Sequence, residues 1–233
     1  MLHLSYLALV GSALMTTTLA HSTERNSHWK TLNNPVVHDV NSTTFTITTP
    51  PATDIWRPNV TADSFTAPYV YKVCKTADFQ RISVTIDAYW KTQYDQGGIA
   101  VVLPSSSKHH GSHKNGRESN KWIKTGIEYY LGAPQFGTVA TYAFSDWSLS
   151  PVRPEGSTAG SFLLERNTNE AWVYTKTEEG QYPLRKVTWA FLEGRSDEDA
   201  EVWVGVYAAK PTYTEGDLNE GLEVTFRDLV VEC

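Results

Sequence analysis

The sequence has few cysteines and no excess of positive charge. Its 233 residues include only two Cys, and 20 Lys and Arg stand against 26 Asp and Glu, for a formal net charge of −6. A protein that binds nucleic acid through the phosphate backbone needs a concentrated positive surface, so no nucleic-acid partner is expected. No Cys-x-x-Cys, Gly-x-Ser-x-Gly or glycine-rich phosphate motif occurs, which excludes cysteine-rich zinc sites, nucleophile-elbow hydrolases and P-loop enzymes.

The first residues have the features of a secretory leader. Residues 1–20 contain no Asp, Glu, Lys or Arg and carry an apolar run over residues 4–14, which is roughly half the ~20 residues that a membrane span needs. We therefore predict a signal peptide cleaved after Ala20, a secreted protein and no membrane partner. Sequons at Asn41 and Asn59 fit a secreted glycoprotein.

The two cysteines, Cys74 and Cys233, form an even pair. In an oxidising compartment such a pair predicts a disulfide, here between an early strand and the last one. Two separate thiols, one buried and one at the terminus, are the alternative that the sequence leaves open.

Short runs of alternating apolar and polar residues fill most of the chain, as in Ile82, Val84 and Ile86, whereas no segment has a convincing 3.6-residue period. The predicted strands cover residues 45–48, 82–90, 98–103, 122–130, 136–144, 162–166, 171–177, 187–192, 202–208 and 222–231. Turn residues separate them, at 95–98, 131–134, 153–156 and 178–180. This pattern predicts an all-β protein, an antiparallel two-sheet sandwich or jelly roll.

Two segments depart from the strand pattern. Residues 21–42 form a polar lead-in, and residues 104–120 form a loop rich in Ser, His and Lys with nothing to bury. We expect both to be mobile and to flank or interrupt a single domain over residues 43–233.

Six motifs resemble the fungal branch of a domain-of-unknown-function family that includes yeast regulation-of-enolase protein. They are ITTPPATDIWRP, DAYWKTQYDQGGIAVVLP, KWIKTGIEYYLGAPQFGTVAT, FSDWSLSP, VWVGVYAAKP and LEVTFRDLVVE. The resemblance implies a concanavalin A-like sandwich of the lectin and glucanase type. It implies no activity and no catalytic residues.

The predicted strand from Lys121 to Tyr130 has two different faces. One face carries Ile123 and Ile127, whereas the other carries aromatic rings interleaved with one base and one acid. Such a face suits a concave sugar-binding groove, because rings stack on pyranoses and charged groups bond hydroxyls. A Lys124–Glu128 ion pair beside packed aromatics is the alternative; burial of the two charges under a loop would contradict the groove. The predicted ligand-binding residues are Trp90, Tyr94, Trp122, Lys124, Glu128, Tyr130 and Trp147.

Candidate catalytic acids are Glu128, Asp95 and Asp146. Glycoside hydrolysis needs two carboxyl groups about 5 to 10 Å apart, but no predicted strand carries the E-x-D-x-E array usual in glucanases of this fold. A glucanase of that kind is therefore not expected. For Asp95 and Asp146, capping of turns through backbone N–H groups is the alternative role.

Histidine gives weak signals for metal. His109, His110 and His113 are close in sequence, but their loop offers no carboxylate second shell. Cleavage after Ala20 would make His21 the N-terminal residue, and a copper site built on its amine and imidazole is a remote alternative. We predict no metal and no cofactor.

The residues favour a secreted domain that binds a glycan or small organic ligand in an aromatic and polar groove. One alternative is an enzyme without a recognised motif, either a carbohydrate-active hydrolase or lyase or a cyclase that shapes a fungal metabolite. Another is a structural module of the cell surface. The sequence indicates no oligomeric state.

Overall fold

A computed structural model describes residues 29–38, 43–105, 120–192 and 200–233. Within them the chain forms sixteen strands and no helix. The strands are β1 (Lys30–Leu32), β2 (Val36–His38), β3 (Thr44–Thr49), β4 (Ile55–Asn59), β5 (Ala62–Phe65), β6 (Tyr69–Lys75), β7 (Arg81–Ala88), β8 (Gln96–Leu103), β9 (Lys121–Tyr130), β10 (Ala133–Thr141), β11 (Ser145–Pro151), β12 (Ala159–Asn167), β13 (Glu170–Thr177), β14 (Gly180–Val187), β15 (Glu201–Ala209) and β16 (Leu222–Glu232).

Fourteen of these strands form two antiparallel sheets that pack face to face. The first sheet has the order β1-β6-β15-β8-β9-β10-β11, and the second has the order β14-β13-β12-β7-β16-β3-β2. Strands β4 and β5 form a separate hairpin. The predicted all-β antiparallel sandwich is confirmed.

The main core lies between the sheets because one face of each central strand is apolar. In β7 it takes Ile82, Val84 and Ile86, and in β9 it takes Ile123 and Ile127. The predicted division of β9 into two faces is therefore correct.

A second apolar cluster lies on the outer face of the first sheet, which we define as the face turned away from the second sheet. It joins Ile55 of the hairpin segment to Tyr69, Trp122 and Tyr207 of the sheet, and Trp56 packs against it. The segment that carries β4 and β5 thus covers part of this outer face.

The structure corrects three local expectations. The lead-in is not merely a polar extension, because its residues 30–32 and 36–38 pair at the edges of the two sheets. The strand predicted over 187–192 is wrong: β14 ends at Val187, and turns follow it. The turn predicted over 95–98 lies earlier, since β8 begins at Gln96.

The predicted disulfide is confirmed. Cys74 of β6 and Cys233, which follows β16, are bonded, with their Cα atoms 5.8 Å apart. Because β6 belongs to the first sheet and β16 to the second, the bond ties the two sheets together.

Several predicted features lie outside the described residues, namely the signal peptide at 1–20, His21, Asn41, and the loop histidines His109, His110 and His113. Within the described ranges, no helix has the length and hydropathy of a membrane span. In the same ranges, no group of three or more His, Cys, Asp or Glu side chains is placed to hold a metal ion.

Candidate functional site

Three glycines form a shallow trough on the outer face of the first sheet. Gly98, Gly126 and Gly137 are direct neighbours on β8, β9 and β10. A methyl group added at Gly126 would lie 2.6 Å from the Cα of Gly98, and one added at Gly137 would lie 3.3 Å from Oε2 of Glu128. The trough therefore depends on the absence of side chains at these positions.

The side chain of Lys124 reaches along the sheet from this trough to Gln96. Its Nζ donates a 2.6 Å hydrogen bond to Oε1 of Gln96, which also lies 3.1 Å from the hydroxyl of Tyr207. The amide of Gln96 donates to Oδ1 of Asp54 at 3.2 Å, and that oxygen is 3.7 Å from Nζ of Lys124. Asp54 precedes β4, so the network also ties the hairpin segment to the sheet.

The register between β15, β8 and β9 explains why the side chains of this network lie close together. Gln96 is the direct cross-strand partner of Glu128, and Tyr207 is that of Gly98. Side chains on one face of neighbouring strands lie about 5 Å apart at such positions. Gln96, Lys124, Glu128 and Tyr207 are all less than 10% exposed, and we call these four residues with Asp54 the polar cluster.

Burial shifts the titration of the polar cluster. It raises the pKa of Glu128 above its usual value, and the nearby Lys124 charge only partly opposes this. Burial lowers the pKa of Lys124, with Asp54 and Glu128 acting in the opposite direction. In both cases desolvation of the charged form is the largest cause.

Four aromatic rings pack together beside the polar cluster. Trp147 of β11 lies 5.2 Å from Tyr130, 6.5 Å from Tyr94 and 6.3 Å from Trp56, measured between ring centroids. All four are partly exposed, and we call them the aromatic mouth. The indole N–H of Trp147 is buried and has no hydrogen bond of good geometry in the described part of the chain, but it acts on Glu128 by lowering the pKa of that carboxyl.

Tyr94 is held in an unfavourable backbone conformation. Its φ is 69°, a region that costs free energy for residues other than glycine. The turn is fixed by Asp95, whose Oδ2 accepts hydrogen bonds from the backbone N–H groups of Lys91 and Thr92 and whose Oδ1 lies 3.1 Å from Nζ of Lys210. Asp95 therefore caps a turn, which is the alternative role that the sequence suggested for it. The capped turn positions the ring of Tyr94.

The open groove expected from the sequence is wrong. Trp122 is 1% exposed, and Lys124 and Glu128 lie in a narrow cleft beside the hairpin segment. The cleft is too tight for a water-sized sphere. A ligand can therefore reach Lys124 and Glu128 only if the side chains around the cleft move.

Two other predicted site residues lie elsewhere. Trp90 belongs to the core between the sheets, where its indole N–H donates to the carbonyl of Thr158 at 2.6 Å. Asp146 is exposed and pairs with Arg185. Neither joins the polar cluster, so Asp146 is not placed to act as a second acid with Glu128.

The sequence interpretation missed Asp54, Gln96, Tyr207 and Trp56. The first three gave no signal because they belong to other strands and segments that only the fold brings to β9. The glycines were a usable signal, since Gly97 and Gly98 open β8 and Gly126 lies in the middle of β9. Glycine inside a strand often marks a close approach of another group.

Proteins of unknown function are similar to this chain in sequence and in fold. The chain is 37% identical over 189 residues to the uncharacterized protein AN7484 of Emericella nidulans, covering 81% of this chain and 86% of that protein. Its fold is similar to that of a functionally unknown protein from Saccharomyces cerevisiae, with a TM-score of 0.65, 19% identity, and 87% and 95% of the two chains covered.

A Bacteroides ovatus protein described as xyloglucan PUL GH43B has a TM-score of 0.52 at 13% identity, with 81% of this chain and 32% of that chain covered. At such identities these structures establish the fold alone, a concanavalin A-like sandwich. The family model for proteins of unknown function DUF1349 matches residues 31–233, and the chain belongs to this family.

Proposed function

We propose that the protein binds an uncharged, hydroxyl-bearing ligand, a glycan or a small organic molecule, at the aromatic mouth and the cleft below it. One observation carries the proposal: a buried set of hydrogen-bonding and charged groups lines a narrow cleft, and a group of four partly exposed aromatic rings lies next to it. Ligand sites typically combine apolar walls with a few convergent polar groups.

Burying the charges of the polar cluster costs folding free energy, and this cost supports a functional role. Buried charges destabilise a fold unless they are well paired, yet the Asp54 carboxylate lies 3.7 Å from Lys124, beyond hydrogen-bond distance. The strained backbone at Tyr94 adds a further cost beside the same cleft.

The charges of the polar cluster favour a neutral ligand. Lys124 faces both Asp54 and Glu128, so no positive charge is left to receive a carboxylate, sulfate or phosphate. Hydroxyl groups can donate to the carboxylates and accept from the ammonium, and sugar rings can stack on Trp147 or Tyr130.

Glu128→Gln tests the proposal because it keeps the shape of the side chain and removes its acidity. We expect a neutral glycan found by array screening to bind with about 1–3 kcal/mol lower affinity, roughly 5- to 150-fold in Kd. Quenching of tryptophan fluorescence reports binding, since Trp147 is in the aromatic mouth.

Glu201→Gln is the matched control, because Glu201 is exposed at the start of β15 in the same sheet. Its affinity should equal that of the wild type. Equal losses in both variants, or a wild type that binds acidic glycans better than neutral ones, would contradict the proposed site.

An acid–base enzyme is the second candidate. The raised pKa of Glu128 favours it, because burial keeps this carboxyl protonated to higher pH than usual and so able to donate a proton. In that case Glu128→Gln should lower turnover about a hundredfold or more while leaving substrate binding largely intact. A panel of polysaccharide digests followed for both proteins separates the two candidates.

We further propose that the protein is secreted and glycosylated. The leader-like residues 1–20 and the disulfide support this, as does Asn59, which is exposed at the tip of the β4–β5 hairpin. The hydroxyl of Thr61 donates to Oδ1 of Asn59 at 2.8 Å, so the sequon side chains are in contact.

We therefore expect the protein secreted by a fungal host to lose mass when treated with an N-glycosidase. Asn59→Gln should remove the glycan at this position and lower stability slightly, because Oδ1 of Asn59 accepts hydrogen bonds from the backbone N–H groups of Thr61 and Ala62 in the hairpin turn. Peptide mass spectrometry would contradict the prediction if the peptide with Asn59 carries no glycan.

A further inference from the structure

A second space for a ligand lies at the end of the second sheet, where β7 ends and β16 begins. This groove has a volume of about 460 Å³, within the roughly 300–1,000 Å³ that is usual for small-molecule sites. It is open to solvent and shares no lining residue with the narrow cleft at Lys124 and Glu128. A small molecule can therefore enter the groove as the structure stands.

Strand register brings polar side chains together in this groove. Thr225 of β16 is the direct cross-strand partner of Asp87 on β7. Glu223 lies two residues before Thr225 and so on the same face of β16, whereas Val224 between them is buried in the core. Tyr89 follows the end of β7 in the same lining and is 83% exposed. The groove thus combines carboxylates and a hydroxyl with an exposed aromatic ring.

Carboxylates outnumber lysines around the groove. The charged side chains of its lining are Asp87, Asp95, Glu220, Glu223, Lys91 and Lys210. Both lysines are already paired: Nζ of Lys210 lies 3.1 Å from Oδ1 of Asp95, and Nζ of Lys91 lies 2.8 Å from Oε2 of Glu220. Within the described part of the chain, no lysine of this lining is left to hold an anionic ligand.

The two remaining carboxylates differ in their partners. Asp87 is neutralised by Arg227, whose Nη2 lies 2.8 Å from its Oδ2, and its Oδ1 accepts a 2.8 Å hydrogen bond from the hydroxyl of Thr158. Glu223 is exposed, and its carboxylate has no ion-pair or hydrogen-bond partner among the described residues. One ionised carboxylate at the groove is thus available to a ligand, and its charge favours a cation.

We propose that the groove binds an amino sugar, whose protonated amine pairs with Glu223 and whose ring packs against Tyr89. An aromatic ring stacks on the apolar face of a sugar and attracts a nearby ammonium group. The hydroxyl of Thr225 can form a hydrogen bond with a sugar hydroxyl. This inference goes beyond the function proposed above, which concerns a neutral ligand on the outer face of the first sheet.

Isothermal titration calorimetry tests the proposal with two trimers that have the same rings and linkage. One is the β-1,4-linked trimer of glucosamine, at a mildly acidic pH that keeps its amines charged, and the other is its fully N-acetylated form, which is neutral. We expect Glu223→Gln to raise the Kd of the glucosamine trimer about 5- to 10-fold, because a charge-assisted hydrogen bond is lost. The Kd of the N-acetylated trimer should not change.

Tyr89→Ala should raise the Kd of the glucosamine trimer about fivefold, because the ring no longer packs on the sugar or attracts its amine. Tyr89 and Glu223 are both exposed, so both variants should fold, and circular dichroism checks this. Glu178→Gln is the matched control, since Glu178 is exposed in the turn between β13 and β14 of the same sheet and does not line the groove. It should bind the glucosamine trimer as the wild type does.

A Glu223→Gln effect that is absent, or that is equal for both trimers, overturns the proposal. Trilysine that binds as tightly as the glucosamine trimer and depends equally on Glu223 also overturns it, because the groove would then recognise charge alone. The cleft and the groove can fail separately, since Glu128→Gln should leave binding of the glucosamine trimer unchanged. If that binding depends on Glu128 instead of Glu223, the groove proposal is wrong, whereas loss of neutral-glycan binding alone contradicts only the cleft.

Discussion

Replacing both Cys74 and Cys233 by alanine is expected to lower the free energy of unfolding by about 5 kcal/mol, the value for a closed loop of 159 residues in the chain-entropy model. The loop spans most of the domain, so the unfolded chain gains much freedom when the bond is absent. The native fold also loses a tie between β6 of the first sheet and the end of β16 in the second.

Urea unfolding measures this loss, and wild-type protein in excess reductant should unfold at the same midpoint as the double variant. Thiol labelling of the denatured, unreduced protein should find no free cysteine. Two labelled thiols per chain, or a double variant as stable as the oxidised wild type, would show that the bond does not form or does not stabilise the fold.

Period-two alternation predicted most strands of this sandwich because their two faces meet different environments. It missed the edge strands β11 and β14, which are half-buried or exposed over most of their length, and it missed β6, whose two faces are both covered. In β6, Tyr69 and Tyr71 face the hairpin segment while Val70 faces the main core, so residues 69–71 are apolar on both faces and do not alternate. The hairpin strands β4, which contains Pro58, and β5 are short and pair only with each other, so they leave a weak pattern.

The candidate site could likewise be predicted only in part from the sequence. Lys124, Glu128 and Tyr130 could be placed together because they share one face of one strand. Gln96 and Tyr207 could not, because their positions depend on the strand order β15-β8-β9 and on its register. Burial of the cluster could not be foreseen either, since it results from the segment that precedes β4 lying over the sheet.

Lys210→Met is expected to lower the free energy of unfolding by about 3–5 kcal/mol, because it leaves the Asp95 carboxylate buried without its counter-ion. Both side chains of this pair are almost completely buried. Asp95 retains its backbone donors at Lys91 and Thr92, but these carry no net charge to balance it. Urea unfolding of the variant measures the effect.

Lys91→Met is the matched control, since Lys91 forms an ion pair with Glu220 in which both partners are solvent-exposed. Solvent screens such a pair, so its loss should change stability much less.

Asp95→Asn combined with Lys210→Met should recover part of the loss, because no buried charge then remains. The same turn holds Tyr94 in its strained conformation, so Lys210→Met should also weaken ligand binding at temperatures where the variant is still folded. A Lys210→Met protein that is no less stable than Lys91→Met would contradict the prediction and would mean that the Lys210–Asp95 ion pair does not stabilise the Tyr94 turn.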